Sequence, residues 1–489
     1  MLGDAVLSGI GGHMIRGWMS KASAALLLTA SALALNTVSA QAADLGGNCC
    51  ADLEERIAEL EATTARKGNR KVSLEVSGQV NEALMYFDDG TESNAYVVTN
   101  DNSRSRFRFK GKAKISSDLE AGYLLEIGVR TANSKRVTQD DDNIGNGLDL
   151  RHSTWYLKSK TYGQVNVGLT GTASEDITEA NLSQTGAFAK YSDAEDSGLG
   201  MKLRVNGAIS NGSTGATDRS IQWFRLLKDT GDQAGEGDRE NIVRYETPEF
   251  HGFSGVAAWG EDDFWDVGLK YAGEIGDFKL LGRVAYSETK EDPVGGNTID
   301  TACLATSPGG TDTESDADCN SIGGSISIMH SPTGLYANFA AGQLQDNLIE
   351  GSLSTGATSA GFAGTGADDT STFYALQAGI ERKWWELGKT TVYGEYYHNE
   401  GGANGRRIMA GNDDINPFAV NSRIFDTELE MFGVGVAQGI DAAAMTLYLS
   451  YRHIEGDMTV MEGVNLLDQT QKIDFDDLDI VMAGGIIKF

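Results

Sequence analysis

Arg104-Ser105-Arg106-Phe107-Arg108-Phe109-Lys110-Gly111-Lys112-Ala113-Lys114-Ile115 repeats with a period of two. Every even position is basic, and every odd position from Phe107 is apolar or glycine. In a β-strand residues i and i+2 share a face, so six cations would line one side over roughly 33 Å. A lysine or arginine facing lipid near the bilayer midplane costs about 2–4 kcal/mol. The cationic face must therefore meet water, while its opposite face can meet hydrocarbon. A solvated soluble sheet, or a patch for acidic polymers, would suit this strand alone, so the rest of the chain decides.

The same period starts earlier, where Val72, Leu74, Val76 and Val80 alternate with Ser73, Glu75, Ser77, Gln79 and Asn81. Segments of about ten such residues divided by turns are the signature of a barrel with one lipid face and one wet face. They are expected near 72–87, 103–116, 120–131, 149–159, 163–171, 241–247, 253–260, 265–273, 278–288, 322–331, 334–343, 372–382, 390–399, 429–437, 443–454 and 476–489. Sixteen strands leave both ends on the periplasmic side. Residues 172–240 form a very long third outer loop, within which Met201–Ile209 and Ser220–Leu227 could pair. Entry of that hairpin into the wall would make eighteen strands; sixteen is preferred. The fold class is thus all-β, a transmembrane antiparallel barrel.

Composition agrees. Glycine is abundant at 61 and proline scarce at 5. Pro248, Pro293, Pro308, Pro332 and Pro417 all fall in expected turns or loops, as they should when a ladder needs every N–H. Tyr162, Phe250, Phe253, Phe278, Tyr336, Trp384, Trp385 and Phe489 gather near strand ends, as interfacial girdles do. Residues 1–42 read as a signal peptide, with Arg16 and Lys21 before the apolar Ala22–Leu35 and a small-x-small site at Ala40-Gln41-Ala42. No other segment approaches 18 apolar residues, and only helices or closed barrels satisfy their backbone in lipid. Residues 43–70 read as a periplasmic linker holding a short coiled coil, with Leu53, Ile57 and Leu60 at heptad spacing. The barrel is assigned to residues 71–489. A formal charge of −30 argues against nucleic acid as a partner.

By register, Arg104, Arg106, Arg108, Lys110, Lys112, Lys114, Arg130 and Arg244 form a basic pore wall, with Glu126 and Arg382 as further inward candidates. Opposite charge comes from the third loop, through Glu175, Asp176, Glu179, Asp193, Glu195 and Asp196. Folded into the lumen, such a loop would set carboxylates against the wall, and charge at a constriction decides which ions pass. Outer-surface decoration is the bland alternative. Cys303 and Cys319 bracket a Gly/Asp/Thr-rich stretch, and an oxidising compartment favours joining them over leaving two free thiols.

Asn241-Ile242-Val243-Arg244-Tyr245-Glu246-Thr247-Pro248-Glu249-Phe250-His251-Gly252-Phe253 resembles the strand–turn–strand of Gram-negative general porins. Tyr162-Gly163-Gln164-Val165-Asn166-Val167-Gly168 is similar to the turn into their fifth strand. Ile486-Ile487-Lys488-Phe489 resembles their terminal strand, whose final Phe the barrel-assembly machinery reads. The N-terminal heptads followed by Lys71–Val80 are most similar to alphaproteobacterial porins, rhizobial ones in particular. The resemblance covers nearly the whole mature chain. It implies a homotrimer in outer-membrane lipid and lipopolysaccharide, a third loop folded inward, and an arginine-and-lysine wall facing loop acids. Two departures stand out: the third loop is much longer than the family pattern, and the loop at 261–264 is unusually short.

The expected function is passive diffusion of small hydrophilic solutes and ions; a substrate-specific channel, for example for anionic solutes, is the alternative. Catalysis would need a nucleophile with a base. His13, His152, His251, His330, His398 and His453 show neither metal spacing nor a nucleophile elbow, so no enzyme activity, cofactor or metal is expected. The acidic runs Asp140-Asp141-Asp142 and Asp413-Asp414 lack the spacing of a calcium loop and read as solvated outer loops.

Overall fold

The computed structural model describes residues 71–209, 221–227, 233–260, 264–289, 319–347, 368–402, 407–408, 422–461 and 470–489. The signal segment and the heptad-bearing linker fall outside these residues, as do Cys303 and Asp413-Asp414. Cys319 is disulfide-bonded.

Among the described residues sixteen strands build the wall. They are β1 (Glu75–Asp88), β2 (Arg106–Lys114), β3 (Leu119–Arg130), β4 (Gly147–Ser159), β5 (Gly163–Gly171), β6 (Arg239–Glu246), β7 (Phe253–Trp259) and β8 (Trp265–Ile275). Then come β9 (Phe278–Thr289), β10 (Cys319–His330), β11 (Leu335–Asp346), β12 (Thr370–Trp385), β13 (Gly388–Glu400), β14 (Ser422–Ile440), β15 (Met445–Met461) and β16 (Leu478–Lys488). Each pairs antiparallel with its sequence neighbour, and β1 closes the cylinder on β16 from Gln79↔Lys488 to Asp88↔Asp479. Closure leaves no edge to lipid, which is what a spanning sheet requires. The terminal Phe489 completes the seam, its N–H donating to Gly78 O at 3.0 Å while Gly78 N–H donates back at 2.9 Å.

The period of two sorts side chains as the sequence indicates. On β8, Trp265, Val267, Leu269 and Ile275 are exposed on the outer face, while Asp266 between them is buried inside. The turn from β6 to β7 is set by His251 (φ 51°) and Gly252 (φ 85°), flanked by the mutual hydrogen bonds of Phe250 and Phe253 at 2.8 and 2.9 Å. Two positive φ values in a two-residue loop match the right-handed twist of the flanking strands.

Two register expectations fail. Tyr336 is 4% exposed and points inward, because it sits out of phase with the lipid-facing Leu335 and Phe339. Arg382 opposes Thr390 two residues beyond Ile380↔Val392, so it shares their outer face at the strand end instead of facing the lumen.

The third loop runs from residue 172 to 238, between β5 and β6. Its strand-like pieces do pair, with Leu203 N–H donating to Ile221 O at 2.8 Å and Trp223 N–H to Met201 O at 3.0 Å. They stay outside the wall, so the count is sixteen. The loop follows the inner surface instead. Ser325 of β10 accepts from Ala180 N–H at 2.9 Å and donates to Ile177 O at 2.6 Å. Gln184 N–H donates to Glu381 of β12 at 2.7 Å, and Arg452 of β15 donates to Lys190 O at 2.7 Å. The returning limb lies directly on the sheet: a Cβ at Gly342 of β11 would stand 1.9 Å from Ala234 O, so only glycine admits that approach.

This path divides the lumen. Phe188, Tyr191, Leu199, Met201, Trp223, Phe224 and Leu226 of the loop are buried in one apolar cluster. Its wall members come from β1 and from β10 to β16, and among the described residues none comes from β2 to β9. Phe188 stacks on Tyr448 with ring centroids 4.7 Å apart. One arc of the barrel is therefore dry and filled, and the other is left for water.

Candidate functional site

The wet arc carries the basic ladder. Arg106, Arg108, Lys110, Lys112 and Lys114 stand opposite Gly128, Glu126, Leu124, Gly122 and Glu120 of β3, all on the lumenal face. Arg104, Arg106, Arg108 and Arg130 line a cavity of about 740 Å³ between wall and loop. From the third loop, Glu175, Asp176, Glu179, Asp193 and Asp196 line the same cavity. The rest of the ladder lies elsewhere. Lys110, Lys112 and Lys114 are exposed below the cavity, Lys112 reaching only Glu120 at 3.8 Å. Arg244 pairs with Glu246 at 3.2 Å away from it. Glu195 is buried behind the lining, accepting from Gln233 Nε2 at 2.5 Å with Lys135 Nζ 3.6 Å away.

Several lining charges escape the sequence reading. Arg151 is one, because the β3–β4 register shifts between Glu126 and Ile127. That bulge turns a residue inward that strict alternation sends out. Lys135, Arg136, Lys190 and Arg239 are further bases, and Asp101, Asp149, Glu236 and Asp238 further acids. These lie in loops or at strand ends, where no period exists to reveal a direction; only their charge hinted at a wet setting. Counting every lining residue, nine bases face nine acids.

The arginines are held from behind. Glu126 has a fully buried side chain, and it accepts from Arg106 NH1 at 3.3 Å, Arg108 Nε at 2.5 Å and Arg151 Nε at 2.9 Å. Arg104 contacts Asp101 at 3.0 Å and Asp149 at 2.7 Å, and Arg130 reaches the same two acids at 3.5 and 3.4 Å. Like charges on adjacent positions repel, so a shared carboxylate is what permits so dense a cluster. Across the cavity, Arg239 pairs with Glu175 at 2.7 Å, and Lys190 bridges Glu179 and Asp193 at 2.5 and 2.8 Å.

Burial acts on the loop acids. It raises the Glu175 carboxyl to about 7, helped by neighbouring Asp176, and the Asp196 carboxyl to about 6 against the pull of Lys135. Glu179 and Glu236 are pushed well above the usual carboxylate range by burial first and then by nearby acids, Asp193 foremost.

A closed cylinder with an apolar exterior and an interior of facing charges is a water-filled membrane channel, because such charges are tolerable only where water reaches them. The family model described as Gram-negative porin matches residues 22–459, and the chain belongs to that family. It is an outer-membrane porin whose barrel crosses the membrane many times. No curated protein matches the chain in sequence. Among solved structures it is similar to an anion-selective porin from Comamonas acidovorans, at 17% identity over 86% of this chain and 100% of that one, TM-score 0.49. It is also similar to OmpF of Salmonella typhi in complex with daunomycin, at 13% identity over 86% and 98%, TM-score 0.44. A third is the outer membrane channel DcaP of Acinetobacter baumannii, at 12% identity over 87% and 100%, TM-score 0.42.

Proposed function

We propose that the chain is a general diffusion porin for small hydrophilic solutes and ions, acting as a homotrimer without catalysis or cofactor. The observation that carries this reading is the single cavity in which the arginines of β2, β3 and β4 face the carboxylates of the infolded third loop. Opposed charge across a narrow passage sets a transverse field. Dipolar solutes align in that field, and ions keep a polar path where hydration is partly stripped.

A solute-specific channel would call for a stacked aromatic track or a dedicated anion cage; among the described lining residues there is no Phe, Tyr or Trp, and Arg104, Arg106, Arg130 and Arg151 are paired with Asp149 or Glu126. The site roles follow from placement. Arg104, Arg106, Arg108 and Arg130 act as the basic eyelet wall, and Glu175, Asp176, Glu179, Asp193 and Asp196 as its acidic rim. Lys110, Lys112 and Lys114 act as a periplasmic funnel. Assembly by the barrel-assembly machinery rests on the terminal Phe489, and lipopolysaccharide is the outer-leaflet partner of such a barrel. The preceding heptads and Lys71–Val80 support a kinship with alphaproteobacterial, rhizobial-type porins.

The test is single-channel recording in planar bilayers with liposome swelling in sugars of graded size. General diffusion gives conductance linear in salt and uptake that falls smoothly with solute size. Saturable conductance blocked by one solute would replace this reading with a specific channel.

A further inference from the structure

Within the constriction three carboxylates converge without enough cations to match them. One oxygen each from Asp176, Glu179 and Glu236 lies within 4.8 Å of the other two. Asp176 and Glu179 belong to the outgoing limb of the third loop, Glu236 to its returning limb. Glu236 is 9% exposed, and its Oε2 is shut off from solvent with no hydrogen-bond partner. Leaving a buried acceptor unsatisfied costs about 1–3 kcal/mol, and more when it is charged. The carboxylate that carries this oxygen is one of the three that surround a single place.

The cations in contact with this group do not fill that place. Lys190 Nζ is spent between Glu179 and Asp193, and Arg283 NH1 donates to the backbone oxygen of Asp176 at 2.5 Å. The carboxyls of Asp176, Glu179, Glu236 and Asp193 thus outnumber the two cations that touch them.

We propose that Asp176, Glu179 and Glu236 bind one calcium ion at the pore constriction. The proposal rests on the channel reading above, since it places the ion in the solute path. All three donors are carboxylate oxygens, the ligands that hard divalent cations select, and calcium accepts irregular oxygen sets completed by water. Water from the adjoining cavity supplies the remaining positions. The ion ties the outgoing limb of the loop to the returning one.

The test is calorimetric titration with CaCl₂ of the full chain, folded in detergent and stripped with EGTA. One ion per chain is expected, with affinity weakened at least tenfold in Glu236→Gln. Asp141→Asn with Asp142→Asn, two exposed loop acids, should bind as the unaltered protein does. Equal affinity in Glu236→Gln, an equal loss in the loop pair, or tighter binding of magnesium would overturn the proposal. Should Glu236→Gln fail to fold, Glu179→Gln carries the same titration and should also weaken calcium binding at least tenfold; equal affinity in that variant overturns the site. A protein that conducts but binds no calcium refutes the site alone, and one that binds calcium but never conducts refutes the channel alone.

Discussion

Replacing both Arg106 and Arg108 by glutamine should make the channel markedly more cation-preferring while leaving the barrel intact. The two substitutions take the cavity lining from nine bases against nine acids to seven against nine. At about 7 Å from a permeant ion, a unit charge acts with about 0.6 kcal/mol in water. Screening at physiological salt reduces this to about 0.25 kcal/mol. Two lost charges help a cation and hinder an anion by equal amounts, a difference of about 1 kcal/mol, or roughly fivefold in the permeability ratio. Glutamine is preferable to charge reversal because of Glu126. That carboxylate has no solvent access and would keep only Arg151, so two added carboxylates would sit beside a buried like charge. The assay is the reversal potential under a salt gradient in a planar bilayer, with heat-modifiable mobility on gels as the check of folding. An unchanged reversal potential in a folded double variant would show that this face of β2 does not line the conducting path.

Acidification should move selectivity the other way. Burial raises the Glu175 carboxyl to about 7 and the Asp196 carboxyl to about 6, so both lose charge as pH falls through those values. Reversal potentials recorded in EGTA should shift towards anions between about pH 8 and pH 5 and return on titration back, since a raised carboxylate is neutral below its own pKa. Phe188→Ala removes a fully buried ring stacked on Tyr448, a truncation that costs about 3–5 kcal/mol in a packed core. Noisier and larger single-channel conductance is expected, with the thermal transition lowered. Gly342→Val pushes a side chain against Ala234 O, where even a Cβ would stand at 1.9 Å. It should displace the returning limb and change conductance without altering the strand content seen by circular dichroism; an unaltered conductance would mean that the limb does not shape the constriction.

The barrel was legible because lipid on one side and water on the other imprint a period of two on every wall strand, and β2 shows it most openly. The turns were legible for a related reason: His251-Gly252, Pro248 and Pro332 mark places where a ladder cannot continue. The inward loop was legible only as a length and a charge. Nothing in the spacing of Phe188, Tyr191, Trp223 or Phe224 says that they pack against β10–β16 and β1, since a loop has no period from which to read a face. Arg151 stayed hidden for the opposite reason: the strand has a period, but a bulge shifts it by one residue.

The sequence by itself determined a membrane barrel of sixteen or eighteen strands, sixteen preferred, with a cationic stripe on one face, because solvent contact on two faces constrains residues two apart along one chain segment. Only the tertiary structure decided which half of the lumen is dry, which three arginines share Glu126, and which acids of a long loop meet across the opening. Those contacts join residues separated by tens to hundreds of positions, and their partners are selected by how a loop packs within a finished cylinder.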